Sequence, residues 1–102
     1  MKLRVLTWNL NGLEDRRLDE RAEAAVLRIL MRHELPHVLM FQEVVRRTFV
    51  AHLLPHLSHA GYAAIPPQPV SQSSYFSVLF IRAPLVPVEA FRIPLQSSRM
   101  GR

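Results

Sequence analysis

Two short segments, residues 7–12 (TWNLNG) and residues 41–44 (FQEV), each follow a stretch with the composition of a buried strand. The candidate side chains for chemistry are the amide of Asn9 in the first segment and the carboxylate of Glu43 in the second. One uncompensated carboxylate beside an amide suits a hard divalent cation together with a phosphate, because such ions take oxygen ligands. This interpretation requires a fold that brings the two residues together.

The elements around these segments would place Asn9 and Glu43 at one edge of a sheet. Residues 3–8 and the apolar residues 38–41 are each typical of a strand. Between them, residues 19–33 have apolar positions at helical spacing, and Pro36 ends the helix. Neighbouring strands joined by a crossover helix run parallel, so their carboxyl ends share the edge where open α/β sheets bind ligands.

The rest of the chain predicts one more helix and three more strands. The helix covers residues 46–54, bounded by Pro55 and finally by Gly61. The strands and the loop that separates the first two follow the usual composition rules. They are strands at 62–65, 75–81 and 88–93, and a loop at 66–69 and 71–74. The predicted order is β-α-β-α-β-β-β.

Length and composition indicate one globular domain. A chain of 102 residues, 49% hydrophobic and 21% charged, is long enough for one core and too short for two ordinary domains. No apolar stretch reaches the length that spans a bilayer, and no secretory signal is recognised, so we expect no membrane partner and a cytoplasmic location. The absence of cysteine excludes disulfides and thiolate metal sites.

The chain is basic, with a formal net charge of +5, and twelve of its thirteen basic residues are arginine. Arginine binds phosphate groups through two parallel hydrogen bonds, so the excess is consistent with a nucleic-acid partner. It is equally consistent with a bias of genome composition, because the arginines are scattered in pairs and form no basic tract. The charge therefore allows a nucleic-acid partner without showing one.

Other candidate sites are rejected on geometry. Residues 33–37 (HELPH) match the H-E-x-x-H zinc pattern, but Pro36 breaks the helix that must hold both histidines on one face. His52, His56 and His59 are interpreted as surface histidines near a helix end. A lone Asn or Glu at a strand end is usually a turn or cap residue. Asn9 and Glu43 therefore indicate a functional site only when the two are considered together.

The segments TWNLNG and FQEV, with a helix containing Glu20-Arg21, resemble the N-terminal part of the endonuclease/exonuclease/phosphatase superfamily. Within it the chain is most similar to the enzymes that hydrolyse 5′-phosphotyrosyl bonds to DNA. Two further segments support that branch. Residues 75–78 (YFSV) resemble a strand entry of those enzymes, and residues 97–102 (SSRMGR) resemble their S-T-x-M-G-R string.

The resemblance implies the N-terminal half of a DNase I-like four-layer α/β/β/α sandwich and Mg²⁺-assisted hydrolysis of a phosphoester, with Mn²⁺ as an alternative ion. It makes Glu43 the metal ligand and Asn9 the group that orients phosphate or water. It implies a phosphate-containing substrate, in this branch a DNA end or 5′-phosphotyrosyl-DNA. Further substrate contacts fall on four positions, which are Asn11, Tyr75, Ser98 and Arg102. Relatives tend to have Asp where Asn11 stands.

Two strings of the family are absent from this sequence, Gly-Asp-x-Asn and a later Ser-Asp-His. We therefore expect residues 1–102 to be a single partial domain, truncated at its C-terminus and inactive alone. The apolar inner face of its sheet would lack a partner, which self-association or a complementing C-terminal half would supply. The alternatives are a non-catalytic phosphate-binding or dimerising remnant of the fold, and a simple basic nucleic-acid binder.

Overall fold

A four-stranded sheet with helices packed on one face forms the part of the chain that the computed structural model describes, residues 2–65 and 75–85. The elements, in chain order, are β1 (Val5–Asn9), α1 (Leu18–Leu30), β2 (Val38–Val44), α2 (Arg46–Thr48), a π-helical turn (Phe49–Leu53), α3 (Leu54–His59), β3 (Tyr62–Ile65) and β4 (Phe76–Arg82). The α/β class is as predicted. The predicted strand at 88–93 and the predicted loop lie outside the described residues.

The strand order across the sheet is β1-β2-β4-β3. Strands β1 and β2 are parallel, with Asn9 opposite Gln42, whereas β4 runs antiparallel to both β2 and β3. The predicted parallel pairing of the first two strands is therefore confirmed. Both strands end at the same edge of the sheet, and the antiparallel β4 begins there.

Helix α1 forms because its apolar residues make one stripe along the helix. The stripe consists of the buried residues Leu18, Ala22, Ala25, Val26 and Ile29. The helix ends at Leu30 rather than at His33 as predicted, because the chain must turn into β2 before Pro36. His37 starts that approach, since its N–H donates to the Arg4 carbonyl and its Nδ1 accepts the Arg4 N–H, at 2.9 and 3.1 Å.

The sequence predicts that the second helical segment ends before Pro55, but in the structure it continues to His59. A π-helical turn ends at Leu53, two residues before this proline. The missing proline N–H and the bulky ring thus fall where the hydrogen-bond pattern changes, so the helix continues past them. Gly61, with φ of +96°, follows the end of the segment. Its left-handed backbone suits a glycine that leads the chain into β3.

The core lies between the sheet and the helices and is rich in aromatic residues. Phe41 and Phe80, from β2 and β4, pack edge to face with ring centroids 5.9 Å apart, and Phe49 packs against Phe80 at 6.1 Å. All three rings are fully buried. Such contacts stabilise a small core beyond the area they bury. They fix the helices on one side of the sheet.

The opposite face of the sheet is apolar and uncovered by any described residue. Val5 is 49% exposed and Met40 is 36% exposed. The described residues thus form two layers, one of helices and one of sheet. No helix within residues 2–65 and 75–85 combines the length and the apolar character needed to cross a bilayer.

Candidate functional site

The side chains of Asn9 and Glu43 meet at the shared edge of β1 and β2. Asn9 Nδ2 donates a hydrogen bond to Glu43 Oε2 at 2.8 Å, and Asn9 Oδ1 accepts one from the backbone N–H of Asn11 at 2.8 Å. These two bonds fix both ends of the amide. Because an amide nitrogen has two N–H groups, Asn9 keeps one donor that these contacts do not use. Glu43 keeps Oε1.

A β-bulge in β2 makes this contact. Between two paired positions, β2 advances from Phe41 to Val44 while β4 advances only from Val78 to Phe76. In a regular strand Phe41 and Val44 would face opposite sides, but both are fully buried in the core. The extra residue therefore keeps Glu43 out of the core. Bulges commonly re-aim a side chain in this way next to active sites.

The backbone of Glu43 is strained. Its φ is +53°, in the left-handed region that a residue with a Cβ seldom adopts. Asn11 also has a positive φ, +51°, which an asparagine tolerates better. The Glu43 carbonyl accepts a hydrogen bond from the Gly12 N–H at 2.8 Å. Strained residues are concentrated at functional sites, where surrounding contacts hold them in place.

Arg21 of α1 holds the loop that leads from β1 to α1. Its guanidinium donates to the backbone carbonyls of Leu10 at 2.9 Å, of Arg16 at 3.1 Å and of Glu14. One planar side chain thus fixes three points of the loop that contains Asn11 and Gly12. In the sequence, Arg21 drew attention only as part of the Glu20-Arg21 pair in the family resemblance. No spacing pattern indicated that it would hold this loop.

An open cavity of about 640 Å³ adjoins Asn11 on the α1 side. Its charged lining residues are Glu14, Arg16, Arg17, Glu20 and Arg21. Arg17 is engaged with Glu20 at 2.7 Å, and this hydrogen bond and the attraction of the carboxylate raise the pKa of Arg17. Arg16 has no ion-pair partner within residues 2–65 and 75–85. Its guanidinium is therefore available to an anionic ligand.

Four of the six predicted site residues lie in the part of the chain that the structure describes. Asn9, Asn11 and Glu43 lie together. Tyr75 immediately precedes β4, whose first residue Phe76 pairs with Val44, so Tyr75 lies at the same edge of the sheet as Glu43. The other two predicted contacts, Ser98 and Arg102, lie outside the described residues.

The rejected histidine motifs have other roles. The HELPH segment follows the end of α1, so its histidines do not share a helix face, and His37 Nδ1 instead accepts the Arg4 N–H. His52 Nε2 lies 3.1 Å from Asp19 Oδ1, which links α1 to the second helical segment. His56 and His59 are exposed, as predicted.

The segments that form these two parallel strand ends lie within a stretch of sequence that matches a known family. A model of the endonuclease/exonuclease/phosphatase family matches residues 6–98. The chain belongs to this family. No curated protein sequence matches it.

Solved structures of TDP2 from Caenorhabditis elegans share the fold of this family member. One matches with a TM-score of 0.75 and 22% identity over 97% of this chain and 28% of that chain. Its selenomethionine form gives 0.76 and 23% over 98% and 28%, and a truncated form gives 0.73 and 22% over 98% and 38%. These matches confirm the predicted DNase I-like class. The chain spans less than half the length of each.

The family is typically dependent on a divalent metal, and Mg²⁺ takes oxygen ligands. No group of three or more His, Asp or Glu side chains that could hold a metal occurs among the described residues. Mg²⁺ does not need such a group, because it is usually held by one or two carboxylates, several waters and substrate phosphates. Glu43 fits that donor set, because Asn9 fixes its Oε2 and no described residue donates a hydrogen bond to its Oε1.

Proposed function

We propose that this chain is the N-terminal part of a metal-dependent phosphodiester hydrolase that acts on DNA ends or on 5′-phosphotyrosyl-DNA. The observation that carries the proposal is the 2.8 Å hydrogen bond between Asn9 and Glu43 at the ends of two parallel strands. Membership of a generally hydrolytic family supports the phosphoesterase chemistry. The fold shared with TDP2 supports the choice of branch.

In this proposal Glu43 and Asn9 have separate roles. Glu43 binds Mg²⁺, or Mn²⁺ in its place, and Asn9 holds the Glu43 carboxylate in one orientation. The unused N–H of Asn9 donates to a phosphate oxygen or to the attacking water. When bound, the metal would stabilise negative charge on the phosphoryl oxygens and the leaving group. Preorganised donors of this kind lower the barrier because they need no rearrangement during the reaction.

The surroundings of the pair suit a nucleic-acid substrate. Arg16, in the cavity beside Asn11, offers a cation to a phosphate of the strand, and the net charge of +5 favours association with a polyanion. Asn11 and Tyr75 are proposed as substrate contacts because both lie at the edge of the sheet that contains Glu43. Ser98 and Arg102 are proposed contacts on the resemblance alone.

We further propose that residues 1–102 form a single partial domain. The sequence contains neither Gly-Asp-x-Asn nor Ser-Asp-His, which the resemblance assigns to the activating Asp and to the histidine near the scissile phosphate. A complementing C-terminal half or a second copy would cover the apolar face that includes Val5 and Met40. On this basis the chain alone binds metal and phosphate but does not hydrolyse a phosphodiester.

One observation favours a second candidate, a non-catalytic phosphate-binding or dimerising remnant. Val5 and Met40 are exposed on the sheet face that no described residue covers, as they would be in a surface that binds a second copy. A remnant would keep the fold and the Asn9–Glu43 contact, but no complementing half would restore chemistry to it.

A hydrolysis assay separates the two candidates. The chain is incubated with Mg²⁺ and a 5′-phosphotyrosyl oligonucleotide, alone and with a separately produced C-terminal part of a family member. Product that requires Mg²⁺ and disappears in Glu43→Ala supports the hydrolase and eliminates the remnant. Glu23→Ala, at an exposed position of α1, is the matched control and should retain activity. Binding without product under both conditions supports the remnant, and product that survives Glu43→Ala contradicts the proposed role of this carboxylate.

A further inference from the structure

We infer that Gly12 is a positioning residue for Glu43, and this inference rests on the proposed function of Glu43. Gly12 lies in the loop after β1, and Glu43 lies in the bulge of β2. The Gly12 N–H donates to the Glu43 carbonyl at 2.8 Å. A glycine at this position lets the backbone of the loop lie directly against the backbone of the residue that presents the carboxylate.

The approach of the two backbones is too close for any other residue. A Cβ on Gly12 would lie 2.3 Å from the Glu43 carbonyl oxygen, and 3.2 Å from both the backbone N and Cγ1 of Val45. The first distance is far below any real contact, and the obstacle is backbone, which cannot move aside as a flexible side chain does. Backbone angles do not explain this glycine, because the positive φ among the described glycines belongs to Gly61.

The loop cannot relieve such a clash by moving away. Arg21 fixes it at the carbonyls of Leu10, Glu14 and Arg16, and the N–H of Leu10 also donates to the Gln42 carbonyl at 3.0 Å. A Cβ on Gly12 would therefore displace the Glu43 peptide rather than the loop. The backbone of Glu43 is in the narrow left-handed region, so displacing its carbonyl changes its backbone angles. We expect this change to turn the Glu43 side chain away from Asn9.

The test compares two glycine-to-alanine variants. Gly12→Ala places a Cβ against Glu43. Gly61→Ala strains a left-handed position across the sheet from β1, but its Cβ would make only an ordinary contact, 3.8 Å from Arg82 Nε. Both variants should unfold at a lower temperature. The affinity for Mn²⁺, measured by electron paramagnetic resonance, should fall about tenfold or more in Gly12→Ala alone, as it does when the support of a metal ligand is lost. Equal losses in both variants would reduce Gly12 to a purely structural role.

Two further measurements keep the inference open to refutation. In the unaltered chain, the Gly12 amide should exchange with solvent much more slowly than the amides of exposed loop residues such as Leu13, which tests the contact even if Gly12→Ala does not fold. Fast exchange would overturn the inference. If the unaltered chain binds no Mn²⁺, the proposed function fails on its own. The side-chain amide signal of Asn9 then decides the inference, since only Gly12→Ala should shift it to the position of a free asparagine.

Discussion

Asn9 pairs in the sheet with Gln42, yet its side-chain amide binds Glu43. The difference of one residue arises from the bulge in β2, which takes up an extra residue between Phe41 and Val44. Without it, strand alternation would direct the position of Glu43 toward the hydrophobic core, where an unpaired carboxylate is strongly unfavourable. The contact on which the proposed function depends is thus a consequence of an irregular strand.

Arg21 should stabilise the loop through its geometry as well as its charge. Arg21→Lys keeps the charge but cannot reach three carbonyls in one plane, so we expect it to lower the free energy of unfolding by about 1–2 kcal/mol, nearly as much as Arg21→Met. Chemical denaturation measures the change. Arg28→Met, at an exposed position of the same helix, is the control and should have little effect. Full stability of Arg21→Lys would show that a single contact suffices.

Arg16 should contribute to nucleic-acid affinity through one phosphate contact. Arg16→Ala is expected to weaken binding of a fluorescent oligonucleotide uniformly across sequences and to reduce the slope of log affinity against log salt by about one. Fluorescence anisotropy over a range of salt concentrations gives both quantities. Arg17→Ala removes a cation that Glu20 already neutralises, so its effect on the slope should be smaller. Equal slopes for the unaltered chain and Arg16→Ala would remove Arg16 from the binding surface.

The buried Tyr62 hydroxyl should make stability depend on alkaline pH. It donates to the Pro36 carbonyl at 2.6 Å, and burial raises the pKa of Tyr62, against the smaller opposing effects of Arg82 and Arg4. A raised pKa in the folded state means that the stabilisation is complete below the ordinary tyrosine value of about 10. It is lost as pH rises from there through the folded value.

Tyr62→Phe provides the measurement of this effect. Removing the hydroxyl should lower the free energy of unfolding by about 1 kcal/mol at neutral pH, the net contribution of one hydrogen bond. Urea denaturation at several pH values should show the gap between Tyr62→Phe and the unaltered chain closing above pH 10. A gap that widens with pH would mean that the shift has the opposite sign.

The buried hydroxyl of Thr48 should lower the free energy of unfolding. The residue is fully buried, and its Oγ1 has no hydrogen-bond partner among residues 2–65 and 75–85. Thr48→Val removes the polar atom at nearly constant shape, so we expect the free energy of unfolding to rise by about 1 kcal/mol. The exposed Thr7→Val is the control, expected to change stability little. A loss of stability in Thr48→Val would indicate an undetected partner for the hydroxyl.

The sequence predicted the parts of the site that depend on regular structure. The apolar stripe of α1 and the parallel pairing of β1 with β2 follow from side-chain periodicity and the crossover rule, and they bring Asn9 and Glu43 to one edge. The bulge could not be predicted, because residues 38–41 looked like a complete strand and Glu43 like a site residue just past the end of that strand. Its formation depends on the pairing with β4, which local patterns do not encode.

The same limit applies to Pro55 and Gly12. A proline normally ends a helix, but the π-helical turn before Pro55 depends on the burial of Phe49 and Leu53 in the core, a tertiary effect. The dipeptide Asn11-Gly12 is typical of a turn, whereas the structure shows that Gly12 also permits contact with a strand remote in sequence. Packing between distant segments determines both features.

Nuclear magnetic resonance of the Asn9 side-chain amide during titration with Mg²⁺ and inorganic phosphate tests the central claim most directly. If Asn9 and Glu43 bind one cation–phosphate pair, this signal should shift to saturation in the unaltered chain and in Glu23→Gln, and should not respond in Glu43→Gln. An unresponsive Asn9 amide in the unaltered chain, or an undiminished shift in Glu43→Gln, would contradict the account.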